Sequence, residues 1–121
     1  MAINRVLVVD DSATDRLAMT QMLERLGYSV ITAQTGEEGI SMAERELPDL
    51  ILMDVVMPGM TGFQATRAIT KSPTTAHIPV FVITGKSQAT DQAWALKMGA
   101  KACLIKPLDQ DEFVKQVEAL S

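Results

Sequence analysis

Five polar residues stand where short apolar runs of the sequence end: Asp10, Asp11, Asp54, Thr84 and Lys106. Uniformly apolar runs of this kind are typical of strands that are buried on both faces of a parallel sheet. Ligands bind to such sheets at the carboxyl ends of the strands, so these side chains are expected to converge at one edge. The sequence therefore predicts a site that combines carboxylates with a hydroxyl and an amine.

Carboxylates that meet at one edge repel each other unless another group compensates their charge. Two unit charges about 5 Å apart repel by roughly 3 kcal/mol at an effective dielectric constant of about 20. Such a cluster either raises the pKa of one member or recruits a cation. Because the ligands on offer are oxygens, without His or Cys beside them, the expected cation is Mg²⁺ or Mn²⁺.

A carboxylate beside Mg²⁺ is a competent nucleophile toward phosphorus, and the product is an acyl phosphate. Phosphoryl transfer needs mainly alignment and neutralisation of the charge on the equatorial oxygens. Lys106 offers positive charge, and the hydroxyl of Thr84 can donate a hydrogen bond to one oxygen. We predict Asp54 as the nucleophile because it stands alone after its apolar run. The adjacent pair Asp10 and Asp11 is better placed to hold the metal.

Helical patterns alternate with these apolar runs along the chain. Strands are predicted over 6–9, 28–33, 50–53, 80–83 and 102–105, and helices over 13–26, 61–70 and 89–98 and after Thr35 and Asp109. Three helix starts carry a capping residue with an acidic residue three positions later: Ser12 with Asp15, Thr35 with Glu38 and Asp109 with Glu112. Each strand is thus followed by a helix.

The repeated strand–helix alternation predicts an α/β fold, (βα)5, with a doubly wound five-stranded parallel sheet and helices on both faces. The second strand, 28–33, is more polar than the others and belongs at an edge. The right-handed crossover rule leaves few arrangements, and the flavodoxin-like order 2-1-3-4-5 places strands one and three side by side at the switch point. The other four strands, the fifth included, are expected to be buried on both faces.

Composition narrows the class of protein. The 121 residues suit one compact domain, and 47% hydrophobic with 21% charged residues is ordinary for a globular protein. A net charge of −4 argues against a nucleic-acid surface, which needs clustered basic residues. No apolar run approaches the ~20 residues of a membrane span, and the single cysteine excludes an internal disulfide. We expect one domain over 1–121, located in the cytoplasm.

Five segments of the chain resemble a known family. They are Val-Asp-Asp-Ser at 9–12, Leu-Met-Asp-Val-Val-Met-Pro-Gly-Met-Thr-Gly at 52–62, Ile-Thr-Gly at 83–85, Lys-Met-Gly-Ala at 97–100 and Lys-Pro at 106–107. In order, spacing and strand context these segments resemble the response-regulator receiver domain (CheY-like). The resemblance covers essentially the whole chain, and it implies a role for each residue at the predicted sheet edge.

The resemblance implies a Mg²⁺ site and a phosphoacceptor. Asp54 matches the phosphoacceptor and also a metal ligand. Asp11 matches the direct Mg²⁺ ligand, and Asp10 holds the metal mainly through water. The backbone carbonyl of Val56 matches the third protein ligand.

The resemblance also implies the groups that respond to phosphorylation. Thr84 matches the switch hydroxyl and Lys106 the phosphate-binding lysine, which is followed by a cis bond to Pro107. Thr84 and the loop over 85–89 are expected to close on the phosphoryl group and to bias the surface of helix four, strand five and helix five. Many receivers have Tyr or Phe three residues before the lysine, but here that residue is Cys103, so the aromatic part of the switch does not carry over.

Among receivers, the chain resembles the stand-alone regulators of pilus and twitching motility of the PilH kind, through residues 62–67 and 91–94. This implies a two-component phosphorelay in motility or chemotaxis-type signalling, with a histidine kinase, CheA-like or its phosphotransfer domain, as the donor. With no output domain expected, the signal passes to a partner protein, or the chain drains phosphoryl groups as a sink. Its catalysis is limited to its own phosphorylation and dephosphorylation. Neither a nucleic acid nor a membrane is an expected partner.

Two other functions are compatible with parts of the pattern. A haloacid-dehalogenase-like phosphatase also uses an Asp nucleophile and Mg²⁺, but in an Asp-x-Asp motif, whereas Asp10 and Asp11 are adjacent. A phosphate-independent interaction module would need none of the acidic residues, and Trp94 on the fourth helix would suit either a partner contact or local packing. Cys103 is expected to be a small strand residue rather than a redox sensor.

Overall fold

Five strands alternate with five helices in the computed structural model of the chain, which describes residues 2–85 and 89–120. The strands are β1 (Arg5–Val9), β2 (Ser29–Ala33), β3 (Leu50–Asp54), β4 (Val80–Thr84) and β5 (Ala102–Ile105). The helices are α1 (Ala13–Arg25), α2 (Gly36–Glu46), α3 (Gly62–Lys71), α4 (Ala89–Lys97) and α5 (Gln110–Glu118). Among these residues, no helix has both the length and the apolar character needed to cross a bilayer.

The strands form one parallel sheet in the order β2-β1-β3-β4-β5, which confirms the predicted order. The pairing register aligns the carboxyl ends of the central strands. Val9 of β1 is paired with Met53 of β3, and Asp54 of β3 is paired with Ile83 of β4. The residues that follow β1, end β3 and end β4 therefore lie next to one another at one edge of the sheet.

The core lies on both faces of the sheet because successive residues of a strand point to opposite faces. Leu7, Val9, Ile51 and Met53 pack in the cluster that includes buried residues of α2, α3 and α4. Their neighbours in sequence, such as Val8 and Leu52, pack in a second cluster with residues of α1 and α5. Each fully buried side chain of this size contributes about 1.5–3 kcal/mol. The two clusters fix the three central strands, and these strands carry the polar residues at the sheet edge.

β5 differs from the prediction, which placed it among the strands buried on both faces. Ala102 and Leu104 are buried against the α1 and α5 side, whereas Cys103 is only partly buried and Ile105 is 46% exposed. The prediction was wrong because β5 is the outer strand next to β4, and the α4 side covers it only in part. An apolar run is compatible with such an edge strand, since it does not specify how much cover the neighbouring helix provides.

Helix starts position the loops next to the sheet edge. The Ser12 hydroxyl accepts a hydrogen bond from the Asp15 backbone N–H, which fixes the start of α1 directly after the Asp10–Asp11 pair. At α3, Thr61 and Gln64 form a reciprocal capping box. Caps of this kind are worth about 1 kcal/mol each.

The loop after β3 returns very close to the strand that it leaves. The Gly62 N–H donates to the Val55 carbonyl over 2.9 Å, and a Cβ built on Gly62 would lie 1.9 Å from the Asp54 carbonyl oxygen. Only a residue without a side chain fits this close approach. Gly62 is therefore part of what holds the backbone of Asp54 in place.

Candidate functional site

Three carboxylates meet at the carboxyl ends of β1 and β3. Asp10 follows β1 and is fully buried, Asp54 is the last residue of β3 and is 5% exposed, and Asp11 is exposed to solvent. One carboxylate oxygen from each of the three lies within 4.8 Å of the others. The register of β1 and β3 produces this arrangement, because Asp10 and Asp54 each follow a paired residue, Val9 and Met53.

Lys106 brings a positive charge to the same edge from the end of β5. Its Nζ lies 2.8 Å from Asp10 Oδ2, 3.0 Å from Asp54 Oδ1 and 3.0 Å from Asp15 Oδ2. Its backbone N–H donates to the Thr84 carbonyl over 2.8 Å, which extends the pairing of β4 and β5 by one residue. The Lys106–Pro107 bond is cis, as the family resemblance implied.

Asp10 is held in one orientation by its neighbours. Its Oδ1 accepts a hydrogen bond from the Ser12 N–H over 2.9 Å, and its carbonyl accepts one from Arg16 Nη1 over 2.7 Å. Its Oδ2 is buried and contacts Lys106 as an ion pair, but it accepts no well-aligned hydrogen bond within the described part of the chain. A buried carboxylate oxygen in this state retains ligand capacity for a cation or for water.

Burial and charge oppose each other at Asp54. The pKa of this carboxyl is raised from 3.8 to about 6, chiefly by burial. The hydrogen bond and charge of Lys106 lower the pKa, and the charges of Asp10 and Asp11 raise it. Burial alone lowers the pKa of Lys106, but the contacts with the three carboxylates outweigh burial, so the pKa lies above its ordinary value. Lys106 is therefore charged, and Asp54 is a carboxylate held at a cost in free energy at neutral pH.

The residues fit a small divalent cation. Asp10, Asp11 and Asp54 present oxygen ligands within 4.8 Å of one another, and oxygen ligands are those that Mg²⁺ prefers. Exposed Asp11 leaves one side open to solvent, which suits an ion that keeps several of its waters. Val56, whose carbonyl is predicted as a further ligand, lies two residues beyond Asp54 with its side chain 79% exposed.

Thr84 lies beside this cluster. It ends β4, is 4% exposed, and directly follows Ile83, which is the residue paired with Asp54. The loop predicted to close together with Thr84 begins at Gly85, but residues 86–88 lie outside the described part of the chain. The structure thus places the hydroxyl-bearing residue on the strand adjacent to Asp54.

Comparison with known proteins identifies the family. Residues 6–118 match the family described as response regulator receiver domain. The chain belongs to the response regulator receiver family. The receiver is 46% identical to Protein PilH of Pseudomonas aeruginosa over 96% of both chains. It is 41% identical to the response regulator PleD of Caulobacter vibrioides, of which it spans 26%.

Solved structures agree with this assignment. The chemotaxis protein CheY4 of Vibrio cholerae superposes on the receiver with a TM-score of 0.89 at 30% identity, covering 99% of this chain and 100% of CheY4. The predicted resemblances to CheY-like receivers and to the PilH kind are confirmed. The chain is thus a receiver domain of two-component signalling, a family of signalling modules that take phosphate from histidine kinases.

Sequence reasoning missed two contacts in this receiver. It treated Asp15 only as part of a capping pattern, although its carboxylate contacts Lys106, and it assigned no role to Arg16, which binds the Asp10 carbonyl. A signal existed for both, because helical side chains point toward the N-terminus of their helix. The first turn of α1 begins directly after Asp11 and therefore directs its side chains back toward the acidic pair.

Proposed function

We propose that this receiver accepts a phosphoryl group from a histidine kinase on Asp54, in a Mg²⁺-dependent reaction, and passes the signal on by contact with another protein. The observation that supports this most directly is the environment of Asp54. A nearly buried carboxylate lies 3.0 Å from the Lys106 ammonium and within 4.8 Å of oxygens from Asp10 and Asp11.

In the proposed transfer, an Asp54 carboxylate oxygen attacks the phosphorus of a phosphohistidine. The new O–P bond forms while the P–N bond to the kinase imidazole breaks, and the imidazole nitrogen keeps the electron pair of that bond. Asp54 must be ionised to attack, and a pKa of about 6 leaves it mostly ionised above neutral pH. Lys106 then donates hydrogen bonds to the charge that develops on the transferred group.

The metal ligands in this proposal are Asp10, Asp11, Asp54 and the backbone carbonyl of Val56. Asp11 is proposed to bind directly because its carboxylate is exposed and can reach an ion from the solvent side. Asp10 is proposed to act mainly through water, because its Oδ1 already accepts the Ser12 N–H. When bound, Mg²⁺ neutralises the negative charge of the acids and of the phosphoryl oxygens.

The proposed output is a change in the face built from α4, β5 and α5. The Thr84 hydroxyl would donate to the phosphoryl group, and Thr84 leads directly into the segment that precedes α4. This face carries exposed apolar side chains, including Leu96 at 58% and Ile105 at 46% exposure. Trp94, elsewhere on α4, is 51% exposed. Lys97 Nζ lies 5.4 Å from the centre of the Trp94 ring, so the ring is partly covered by its own helix yet open to a partner.

The proposed pathway follows from the relatives. Similarity to PilH over nearly the full length of both chains supports a role in motility or chemotaxis-type signalling, with a CheA-like kinase or its phosphotransfer domain as donor. The receiver would act in the cytoplasm, either by binding a partner protein or as a phosphate sink. Its own catalysis would be confined to gaining and losing its phosphoryl group.

Incubation with acetyl phosphate and Mg²⁺, followed by intact mass measurement, tests the proposal. The wild type is expected to gain one phosphoryl group, and EDTA is expected to prevent the gain. Asp54→Asn should gain none, whereas Asp111→Asn, an exposed Asp in α5, should match the wild type. Equal labelling of Asp54→Asn would contradict the assignment of the acceptor. Release of many equivalents of inorganic phosphate from acetyl phosphate, without labelling of the protein, would favour a phosphatase instead.

A further inference from the structure

Asp15 adds a carboxylate that the proposed transfer does not use. It lies in the first turn of α1, and its Oδ2 is 3.0 Å from Lys106 Nζ. Its side chain is 45% exposed, compared with 0% for Asp10 and 6% for Asp54. Asp15 therefore shares the lysine with the two buried acids while standing on a different element and in contact with water.

The number of donors on Lys106 limits what the lysine can bind. An ammonium group has three N–H donors, and Asp10, Asp15 and Asp54 each place an oxygen 2.8–3.0 Å from Nζ. The contact with Asp15 is a hydrogen bond, whereas the contact with Asp10 is an ion pair without a well-aligned hydrogen bond. Because three carboxylate oxygens already surround Nζ, a phosphoryl oxygen competes with them for the ammonium group. Asp15 is the least costly to displace, because water can replace the lost hydrogen bond at an exposed carboxylate but not at a buried one.

We propose that Asp15 competes with the phosphoryl group for Lys106 and thereby slows phosphorylation of Asp54. This inference rests on the proposed function. Asp15 is a positioning residue that acts through Lys106. It takes no part in the bond changes of the transfer. The Asp54–phosphorus bond forms as the bond to the leaving group breaks, while Asp15 exchanges its contact with Lys106 for water.

Charge adds to this competition. Asp15 Oδ2 and Asp54 Oδ1 each lie 3.0 Å from the same nitrogen, so they are at most about 6 Å apart. An incoming phosphoryl dianion would meet the repulsion of Asp15 over a similar distance. Because Asp15 is nearly half exposed, solvent screening limits the effect, and we expect removal of its charge to accelerate phosphorylation about three- to tenfold.

Initial rates of phosphorylation by acetyl phosphate at saturating Mg²⁺ test the inference. Asp15→Asn is expected to react about three- to tenfold faster than the wild type at about 50 mM ionic strength. The ratio of the Asp15→Asn rate to the wild-type rate should fall toward one at about 500 mM ionic strength, where the screening length becomes shorter than the distance between Asp15 and the phosphoryl group. A loss of helix stability alone would produce neither the acceleration nor its dependence on salt.

Asp111→Asn is the matched control, because it also removes an acidic residue from the first turn of a helix, α5, and has no ion pair with Lys106 among the described contacts. It should react like the wild type at both ionic strengths. The binding of inorganic phosphate in the presence of Mg²⁺ gives a readout that does not depend on turnover. It is monitored by the NMR chemical shifts of the backbone amides of Asp54 and Thr84. Asp15→Asn should bind phosphate about three- to tenfold more tightly.

The possible outcomes separate the inference from the function on which it rests. If the wild type is labelled on Asp54 but Asp15→Asn reacts at the same rate or more slowly, the competition is refuted and the proposed function stands. A rate increase of equal size at both ionic strengths would also refute it. If the wild type takes no phosphoryl group at all, the proposed function fails, and the inference fails with it.

Discussion

In its proposed role as phosphoacceptor, Asp54 has to satisfy two opposed requirements. A phosphoacceptor must be ionised to attack, yet its place at the end of a central strand removes it from water, which favours the protonated form. Lys106 offsets part of that cost with an ion pair at 3.0 Å. The result is a carboxyl with a pKa of about 6. It is charged near neutral pH, and without a cation this charge lowers the stability of the folded state.

The raised pKa of Asp54 predicts how stability depends on pH in the absence of divalent ions. Between about pH 4 and 6 the folded protein holds a proton that the unfolded chain releases. The stabilisation from this proton is fully present below pH 4 and is lost as the pH rises through about 6. Asp54→Asn has no such proton, so its stability relative to the wild type should increase by about 1–2 kcal/mol between pH 5 and 7.5.

Urea unfolding in EDTA at several pH values measures this difference. Asp111→Asn, which alters an exposed carboxylate, should show a difference from the wild type that changes little over the same range. A constant difference between Asp54→Asn and the wild type from pH 5 to 7.5 would show that the buried carboxyl does not titrate as inferred.

The elements that carry the site differ in how far sequence patterns predict them. Ser12, Thr35 and Asp109 cap α1, α2 and α5 as expected, because capping depends on residues within one turn. The burial of β5 was not predictable in the same way, because the exposure of Ile105 depends on how far α4 extends over the outer strand. The closeness of Gly62 to Asp54 was also missed, since it depends on the path of a loop relative to a strand.

Gly62 yields a prediction about the β3–α3 loop. In Gly62→Ala the new methyl group would lie 1.9 Å from the Asp54 carbonyl oxygen and 2.8 Å from its carbon, so the loop or the end of β3 must move. We expect a loss of about 2–4 kcal/mol in the free energy of unfolding, measured in urea. The folded fraction should also accept phosphoryl groups more slowly, because Asp54 shifts away from Lys106.

The comparison for this variant is Gly85→Ala. A Cβ on Gly85 would meet no described atom within 4 Å, and Gly85 has no positive φ angle that would strain alanine. Its free energy of unfolding should stay within about 0.5–1 kcal/mol of the wild type. Similar losses for the two variants would mean that the close approach at Gly62 does not limit stability.

For the molecule as a whole, general rules accounted for most of the arrangement. Crossover handedness and the more polar second strand led to the observed strand order, and that order, together with the register of β1 and β3, brings Asp10 next to Asp54. The contact between Asp15 and Lys106 was not predicted, because it depends on how α1 and the end of β5 approach each other across the sheet edge. Such contacts follow from packing distances, which sequence patterns do not specify.

A cation that binds this edge should stabilise the whole fold, because the carboxylates proposed to hold it come from the end of β3 and from the segment that follows β1. If Mg²⁺ binds only the folded state, the free energy of unfolding rises with ion concentration and reaches about 2.7 kcal/mol at one hundred times the dissociation constant. Asp11→Asn should lose most of this gain. Its stability in EDTA should be equal to or above that of the wild type, because a repelling charge is removed.

Thermal or urea unfolding over a range of MgCl₂ concentrations, with NaCl added to keep ionic strength constant, measures this linkage. Constant ionic strength matters because a chain of net charge −4 gains some stability from any salt. The wild type and Asp111→Asn should both respond to Mg²⁺, whereas Asp11→Asn should respond only weakly. An equal response of all three proteins would mean that the ion acts on the general surface charge, and the three carboxylates would then not form its site.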